Sequence, residues 1–323
     1  MEKIYNVLIV GAGNIGAFFD TPSSLNILTH AHAFTSMKQF HLLGFVETDI
    51  ESAEKASHLW NTTYFESLEK AFEKNRIDVV SLCVPDEYHY AILKKLSSFP
   101  IKLVFAEKPL AKNLKEAEEI ISLYNEKNIR CLVNYSRRFV SEFVDLKNSI
   151  IFGTYGRFIC GNGYYGKGTV HNGSHLIDFL RYIIGEIKET NNFNYEFDFY
   201  KDDPSISAIL KFQNGGNFTM NNIPCNNYTI FEIELLFERA KIRIIDSGFK
   251  LEIYKVLDNS LFKGYKNLVK KDDFKTSLGN AMENAVVNIY NNLSFNEELK
   301  CTIEDGYRAL EVCENLKVAI NNE

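Results

Sequence analysis

The chain has 323 residues, 46% of them hydrophobic and 24% charged, with a formal net charge of −6. That length and balance describe a globular protein with room for two cores, and no basic run interleaved with aromatics marks it for nucleic acid. No stretch approaches the roughly 18 uninterrupted apolar residues of a membrane span, and the N-terminus enters a strand too soon to hold a signal peptide. The six cysteines, Cys83, Cys131, Cys160, Cys225, Cys301 and Cys313, are scattered without C-x-x-C spacing. They read as free thiols of a cytoplasmic protein, with no zinc site.

Residues 7–10 form a continuous apolar run, the pattern of a strand buried on both faces of a parallel sheet. Gly11-Ala12-Gly13-Asn14-Ile15-Gly16 follows at once. In a G-x-G-x-x-G spacing the first glycine makes a tight turn, the second lets the backbone approach a pyrophosphate, and the third permits close helix–strand packing. A helix starting here aims free N–H groups at the phosphates. Gly11, Gly13, Asn14, Ile15 and Gly16 are therefore expected to bind a dinucleotide. The first helix is expected to be short, because residues 20–24 are turn formers. Residues 41–47 predict a second strand ending in Glu47, the acid that accepts hydrogen bonds from ribose hydroxyls in such folds. It falls about ten residues beyond the usual spacing of about 20, and an insertion over 20–29 accounts for the delay. Thr48 and Asp49 follow with no Arg or Lys to receive a 2′-phosphate, so NAD is expected over NADP.

Residues 77–85 predict another buried strand, ended by Pro85 at the carboxyl edge where open parallel sheets bind ligands. Val84, Pro85 and His89 are expected to border the cofactor. Residues 103–106 deliver Glu107 and Lys108 to the same edge. Residues 112–127 have helical spacing, with Asn113 as N-cap, and residues 130–135 close a dinucleotide-binding domain over 1–135. A second domain, for substrate binding and oligomerisation, is expected over 136–323. There residues 193–200 alternate, 206–212 and 217–223 flank the hairpin signal Asn214-Gly215-Gly216, and 228–237, 240–245 and 249–256 add strands. Helices are expected over 173–184, 276–293 and 303–320. The fold class is α/β, a doubly wound parallel sheet followed by an α+β domain with an open, largely antiparallel sheet. The alternating aromatics Phe193, Tyr195, Phe197 and Phe199, or the opposite set, need cover, which predicts a homodimer or homotetramer built on that sheet.

Five stretches, in order, resemble one family. The strand with GAGNIG, then SLCVPDEYH, AEKPLAKN, NYSRRF and HNGSHLIDFLRYIIGE, are similar to motifs of the glucose–fructose oxidoreductase / inositol dehydrogenase (Gfo/Idh/MocA) family. The closing TIEDGYRALEVCENLKVAI resembles its last helix. The resemblance implies a Rossmann domain, an open mixed sheet, and NAD-dependent transfer of a hydride at one carbon of a sugar, inositol or nucleotide sugar. It puts the catalytic lysine at Lys108 and the catalytic histidine at His175, and it implies a cis Lys108–Pro109 bond. One departure stands out: the family often carries Asp four residues before that histidine, and this chain has His171. The alternatives are a glycosidase of the same family that uses NAD transiently, and a non-catalytic NAD-binding regulator.

Hydride transfer from a carbinol carbon needs removal of the hydroxyl proton and a donor for the charge that develops on oxygen. The Lys108 ammonium suits the second task. His175 is expected in the first turn of a helix, whose positive end disfavours imidazolium and keeps a base available. Asp178, one turn on, can orient it or pair with Arg181. His171 and Asn172 are placed with the substrate, although His171 can equally pack in its loop. Gly173 is expected to interrupt any helix between the two histidines, and H-x-x-x-H lacks the intervening glutamate of a zinc motif, so no metal is expected. One of Arg137 and Arg138, taken as Arg138, is expected to bind substrate in bidentate fashion. Tyr165, beside Tyr164, is expected to stack on a sugar ring or else to pack in the core.

Overall fold

Residues 3–321 are described by a computed structural model. The first leg of the chain supplies β1 (Tyr5–Val10), α1 (His30–Thr35), β2 (Phe40–Val46), α2 (Ile50–Leu59), β3 (Thr63–Phe65) and α3 (Leu68–Lys74). It continues with β4 (Val79–Leu82), α4 (His89–Leu96), β5 (Leu103–Ala106), α5 (Leu114–Lys127) and β6 (Arg130–Val133). The strands form one parallel sheet in the order β3-β2-β1-β4-β5-β6. Leu8, Ile9, Val79, Val80, Val104 and Phe105 are fully buried in it, because helices on both faces leave no solvent side and hence no alternation. The strand order reverses between β1 and β4, which opens a crevice at their carboxyl ends.

Two local features match the sequence reading closely. The Asn113 side chain accepts the Glu116 N–H at 3.0 Å and caps α5. The helix after β1 is a single wide turn, Asn14–Phe18, closed by the Phe19 N–H on the Asn14 carbonyl at 2.9 Å. The insertion that follows is clipped shut by buried Asp20, which accepts the Leu28 N–H at 2.6 Å and the Thr29 hydroxyl at 2.5 Å. His32 Nδ1 lies 2.8 Å from the same carboxylate.

The second unit begins with α6 (Ser141–Ile151), β7 (Phe158–Tyr165) and α7 (Ser174–Ile183). It goes on through β8 (Ile187–Glu196), β9 (Ser205–Phe212), β10 (Asn217–Asn222), β11 (Glu232–Phe237), β12 (Ala240–Ile245), β13 (Lys250–Asp258) and β14 (Lys266–Lys275). These make an eight-stranded sheet in the order β14-β13-β12-β11-β7-β10-β9-β8, antiparallel throughout except between β7 and β10. β7 escapes the sequence reading although it is central. Its Gly161 and Gly163 leave room for the Phe218 ring, which a Cβ on either would approach to 2.8 Å and 2.7 Å, so the strand shows no apolar alternation. β8 spans Ile187–Glu196, and not residues 193–200. Its pairing with β9 ends at Glu196 opposite Ser205, and the chain must turn before re-entering.

Two helices complete the chain, α8 (Ala281–Phe295) and α9 (Ile303–Asn321). Residues Gly279–Tyr307 group with the first unit, and only the chain from Arg308 onward groups with the second. A division at residue 135 therefore misses a returning segment. The Tyr5 hydroxyl donates to the Leu293 carbonyl at 3.0 Å. Arg130 donates to the Asn292 carbonyl at 2.9 Å and to its Oδ1 at 2.7 Å. Tyr290 packs its ring against Tyr5 and Phe40.

Candidate active site

The glycine loop leaves β1 at Gly11, whose φ of +97° and tight fit against the Cys83 carbonyl leave no space for a Cβ. Gly13 is the opposite: nothing lies within 4 Å of the position a Cβ would take. That open face is where backbone can meet a pyrophosphate. Glu47, just past β2, folds back onto the loop. Its Oε2 accepts the Ala12 N–H at 2.8 Å, and its Oε1 accepts the N–H groups of Thr48 and Asp49 at 2.7 and 3.0 Å. A crevice of about 660 Å³ opens here, lined by Gly11, Gly13, Glu47, Asp49, Glu66, Val84 and Pro85 among others. The open glycine face at one point and carboxylates at another fit the phosphates and ribose hydroxyls of a dinucleotide. Asn14 is exposed and Ile15 half-buried in the turn that begins beyond Gly13. A second depression of about 670 Å³ at the amino end of β6, lined by Arg130, Asn292 and Glu304, lies at the other edge of the sheet.

Lys108, half-buried, follows β5 by two residues, and the Lys108–Pro109 bond is cis. Behind it lies a polar cluster that sequence reasoning missed. Glu107 Oε1 accepts from Asn134 Nδ2 at 2.6 Å and meets His30 Nε2 at 3.0 Å. The other ring nitrogen of His30 meets the Ser81 hydroxyl at 2.6 Å. Burial alone would lower the pKa of His30, but Cys83 and the Glu107 carboxylate outweigh it and raise the value to about 10. These neighbours favour the protonated ring. Burial pushes Glu107 upward in turn, and its bonds to His30 and Asn134, with the charge of Lys108, bring it below the usual carboxylate range. The only sequence trace of this cluster is a histidine on the apolar face of a helical pattern.

His89 was expected beside the cofactor, but it is fully buried. Its Nδ1 meets the Pro109 carbonyl at 2.7 Å and its Nε2 the Val84 carbonyl at 3.0 Å. Burial keeps its pKa below the ordinary value, so the neutral ring has one N–H to share between the two. It ties together the loops after β4 and β5 from behind. Arg138 is also committed elsewhere, with Asp305 at 3.0 Å and the Lys300 carbonyl at 3.1 Å, and is 5% exposed. It clamps the returning segment, where a bidentate contact with substrate was expected.

In the second unit, residues Thr169–Gly173 wind as a wide helical turn directly into α7. Gly173 has φ −58° and ψ −32°, so it continues the helix where an interruption was expected. His171 and His175 therefore lie one turn apart on one winding, and His175 belongs to the second turn of it. Tyr165 is fully buried. Its hydroxyl contacts Thr169 Oγ1 at 3.0 Å, donates to the Ile206 carbonyl at 2.8 Å, and accepts the Ile206 N–H at 2.7 Å. It is a pillar beneath the turn, so of the two expected readings core packing holds and sugar stacking does not. Asn172 donates to the Gly166 carbonyl at 2.8 Å. Asp178 is buried with Arg181 Nη1 at 3.8 Å, and Arg181 forks onto Glu186 at 2.8–2.9 Å. Asp203 and Tyr200, neither of them among the expected site residues, touch His171. Among the described residues no group of three His, Cys, Asp or Glu side chains is placed to hold a metal.

Residues 5–135 match the oxidoreductase family described as having an NAD-binding Rossmann fold, Gfo/Idh/MocA. Over this segment, about two fifths of its length, the chain is similar to that family. YceM of Salmonella typhimurium is 28% identical over 142 residues, which cover 44% of this chain and 42% of YceM. The chain thus spans about half the length of the curated relatives it matches. Among solved structures, levoglucosan dehydrogenase in its NADH complex aligns with a TM-score of 0.81 and 15% identity over 99% of this chain and 98% of that one. A Desulfitobacterium hafniense protein named as an NADPH-dependent oxidoreductase aligns with a TM-score of 0.81 and 16% identity, over 100% and 97% of the two chains. At these identities the likeness shows a shared fold, a Rossmann sheet with a second, mostly antiparallel sheet.

Proposed function

We propose that the protein is an NAD-dependent oxidoreductase that moves a hydride between nicotinamide and a hydroxyl or keto carbon of a sugar, inositol or nucleotide sugar. The observation that carries this reading is the carboxyl edge of the parallel sheet. There Glu47 closes onto an open glycine loop, and Lys108 projects from a buried, charge-balanced cluster. Bound NAD supplies the hydride acceptor. Gly11, Gly13, Asn14, Ile15, Gly16, Glu47, Val84 and Pro85 hold it, with Glu107 and His89 fixing the loops from behind. Lys108 holds the substrate oxygen, His175 takes or returns its proton, and Asn172 and His171 border the substrate. Levoglucosan dehydrogenase, a neighbour named for a sugar, supports the substrate class.

NAD is the preferred cofactor, although one neighbour is named for NADPH. Glu47, Asp49 and Glu66 line the crevice of this chain. A carboxylate that rewards a free ribose hydroxyl repels a 2′-phosphate. The exposed aromatics Phe193 and Tyr195 of β8, with Phe197 and Phe199 just beyond it (42–57% accessible), support a homodimer or homotetramer on the antiparallel sheet, and six cysteines outside any disulfide, four of them buried, support a reducing cytoplasm. The test is NADH formation across a sugar, inositol and nucleotide-sugar panel, with calorimetry of NAD and NADP and light scattering on the same sample. Turnover with tighter NAD binding in an oligomer is the expected result. Tighter NADP binding removes the cofactor assignment, a micromolar monomer removes the assembly, and no turnover on any panel member removes the dehydrogenase reading.

A further inference from the structure

The hairpin of β13 and β14 ends in a turn that holds apolar side chains outward. β12 pairs with β13 as far as Ala240 opposite Lys255, and beyond that point Val256, Leu257 and Asp258 pair only with Leu268, Asn267 and Lys266 of β14. Asn259 shapes the turn. Its Oδ1 accepts the N–H groups of Leu261 and Phe262 at 2.8 and 2.9 Å, and its own N–H donates to the Tyr265 carbonyl at 2.9 Å. Leu261, Phe262 and Tyr265 are 83%, 63% and 70% exposed, and the rings of the last two meet edge to face at 6.2 Å. A turn that only reverses the chain is made of small and polar residues, so three large apolar side chains clustered at its apex mark a contact surface.

Residues 255–271 hold five lysines and a single acid, Asp258, a local charge of +4 in a chain of net charge −6. The lysines are spaced among other residues and form no basic run in the sequence; the hairpin gathers them. Lys263 lies in the turn and Lys266 directly after it, while Lys255 sits three residue pairs down the ladder from Asp258, about 10 Å behind. Lys270 is shared by Glu252 and Asp273 at 3.2 Å each, and among the described residues the other four lysines form no ion pair. A bulge between Ile253 and Tyr254 leaves Lys271 without a facing residue. Its ammonium beside Lys255 holds that lysine below the ordinary range, against the opposite pull of Asp272. Like charges placed this way gain from an anion brought to them.

We propose that the tip of this hairpin docks on a membrane surface that carries anionic phospholipid headgroups. Leu261, Phe262 and Tyr265 enter the boundary of the hydrocarbon, and the lysines around and behind them meet the headgroups. The order of the layers selects this partner. A membrane has its anionic groups outermost over an apolar interior, and the hairpin has its apolar groups foremost with cations at their flanks and behind. A nucleic acid also has its phosphates outside, but it offers an aliphatic tip such as Leu261 no apolar layer to enter. Among the described residues no helix is long and apolar enough to cross a membrane. The contact is therefore with one face of the bilayer, and it weakens as salt rises.

The experiment sediments the full chain with vesicles of phosphatidylcholine, with and without a quarter of phosphatidylserine, at low and high salt. Binding to the serine-containing vesicles at low salt, its loss at high salt and none to phosphatidylcholine alone are expected. Lys263→Gln with Lys266→Gln should weaken binding by roughly 25-fold, from about fivefold for each lysine at an anionic surface. Leu261→Ser with Phe262→Ser should weaken it by roughly tenfold. Phe262→Trp should shift its emission to the blue on binding, against a constant signal from Trp60, the single tryptophan of the chain and 5% exposed. All these side chains are exposed, so melting temperature and NAD affinity should hold. No binding, equal binding to both vesicle types, or wild-type binding by either double variant overturns the proposal. Light scattering without vesicles and titration with a single-stranded oligonucleotide test the rivals. A smaller assembly in the Leu261→Ser, Phe262→Ser variant makes the tip an interface between copies, and oligonucleotide binding tighter than vesicle binding makes it a nucleic-acid site. Either result overturns the membrane assignment.

Discussion

Two histidine–carboxylate pairs dominate the polar interior of this protein, and they differ in how far the fold seals them. His30 has no accessible surface, with Glu107 on one ring nitrogen and Ser81 on the other. Its neighbours hold the proton on it up to about pH 10. His171 has its carboxylate on Nδ1 and a tyrosine on its face, and part of its side chain stays accessible. The same two side-chain types thus make a sealed pair that favours the protonated ring in one unit and a partly accessible pair in the other. Burial makes the difference: a sealed pair exchanges nothing with a substrate, so its work is to hold Glu107 in place next to Lys108.

The largest effects should come from the residues that the sealed and open pairs serve. Lys108→Ala and His175→Ala are each expected to lower turnover by roughly 10²–10⁴-fold, the range of a positioned acid–base group. Cofactor affinity should hold, since both act mainly in the transition state. Steady-state assays beside NAD titrations check this, and near-wild-type turnover removes the residue concerned from the mechanism.

The sealed pair is tested through stability. His30→Ala leaves Glu107 buried without its cation and should destabilise the protein by about 3–5 kcal/mol, read by denaturant unfolding. The folded pKa of His30 lies above its ordinary value of 6.5. Its contribution is therefore complete below about pH 6.5 and is lost as pH rises through about 10. Wild-type stability should decline across that window, and His30→Ala should flatten the decline. An unchanged pH profile in the variant would show that the ring is not the titrating group.

The smallest effect is expected at a third pair, Asp20 with His32, which ties off the insertion. Burial raises the pKa of Asp20, but bonds from Thr29, Leu28 and His32 outweigh it and leave the value lowered. Its contribution is present above the ordinary carboxylate value of 3.8 and lost as pH falls through the lowered one. Asp20→Asn should cost about 1–3 kcal/mol at neutral pH and show a smaller further loss on acidification. Thermal unfolding between pH 3 and 7 checks it, and equal acid sensitivity in both proteins excludes Asp20 as its source.

The sequence by itself determined the elements whose signal is local. The apolar runs of β1 and β5, the Asn113 cap, the glycine loop and the acid after β2 all follow from neighbours in the chain, because strand burial, capping and turn geometry are read within a few residues. It also offered Lys108 and His175 as candidates, through the family that their motifs resemble. Only the tertiary structure decided what their side chains touch. Ser81, His30, Glu107 and Asn134 converge because parallel strands bring their carboxyl ends to one edge, and no spacing along the chain encodes that meeting. Asp203 reaches His171 from a loop 32 residues away. Tyr165, Arg138 and His89, polar residues in plausible positions, turned out to be buried and bonded to main chain or a carboxylate. A polar residue beside a motif reads the same in sequence whether it faces a substrate or satisfies a buried neighbour. Solvent exposure separates the two, and exposure is set by what packs against the residue from elsewhere in the chain.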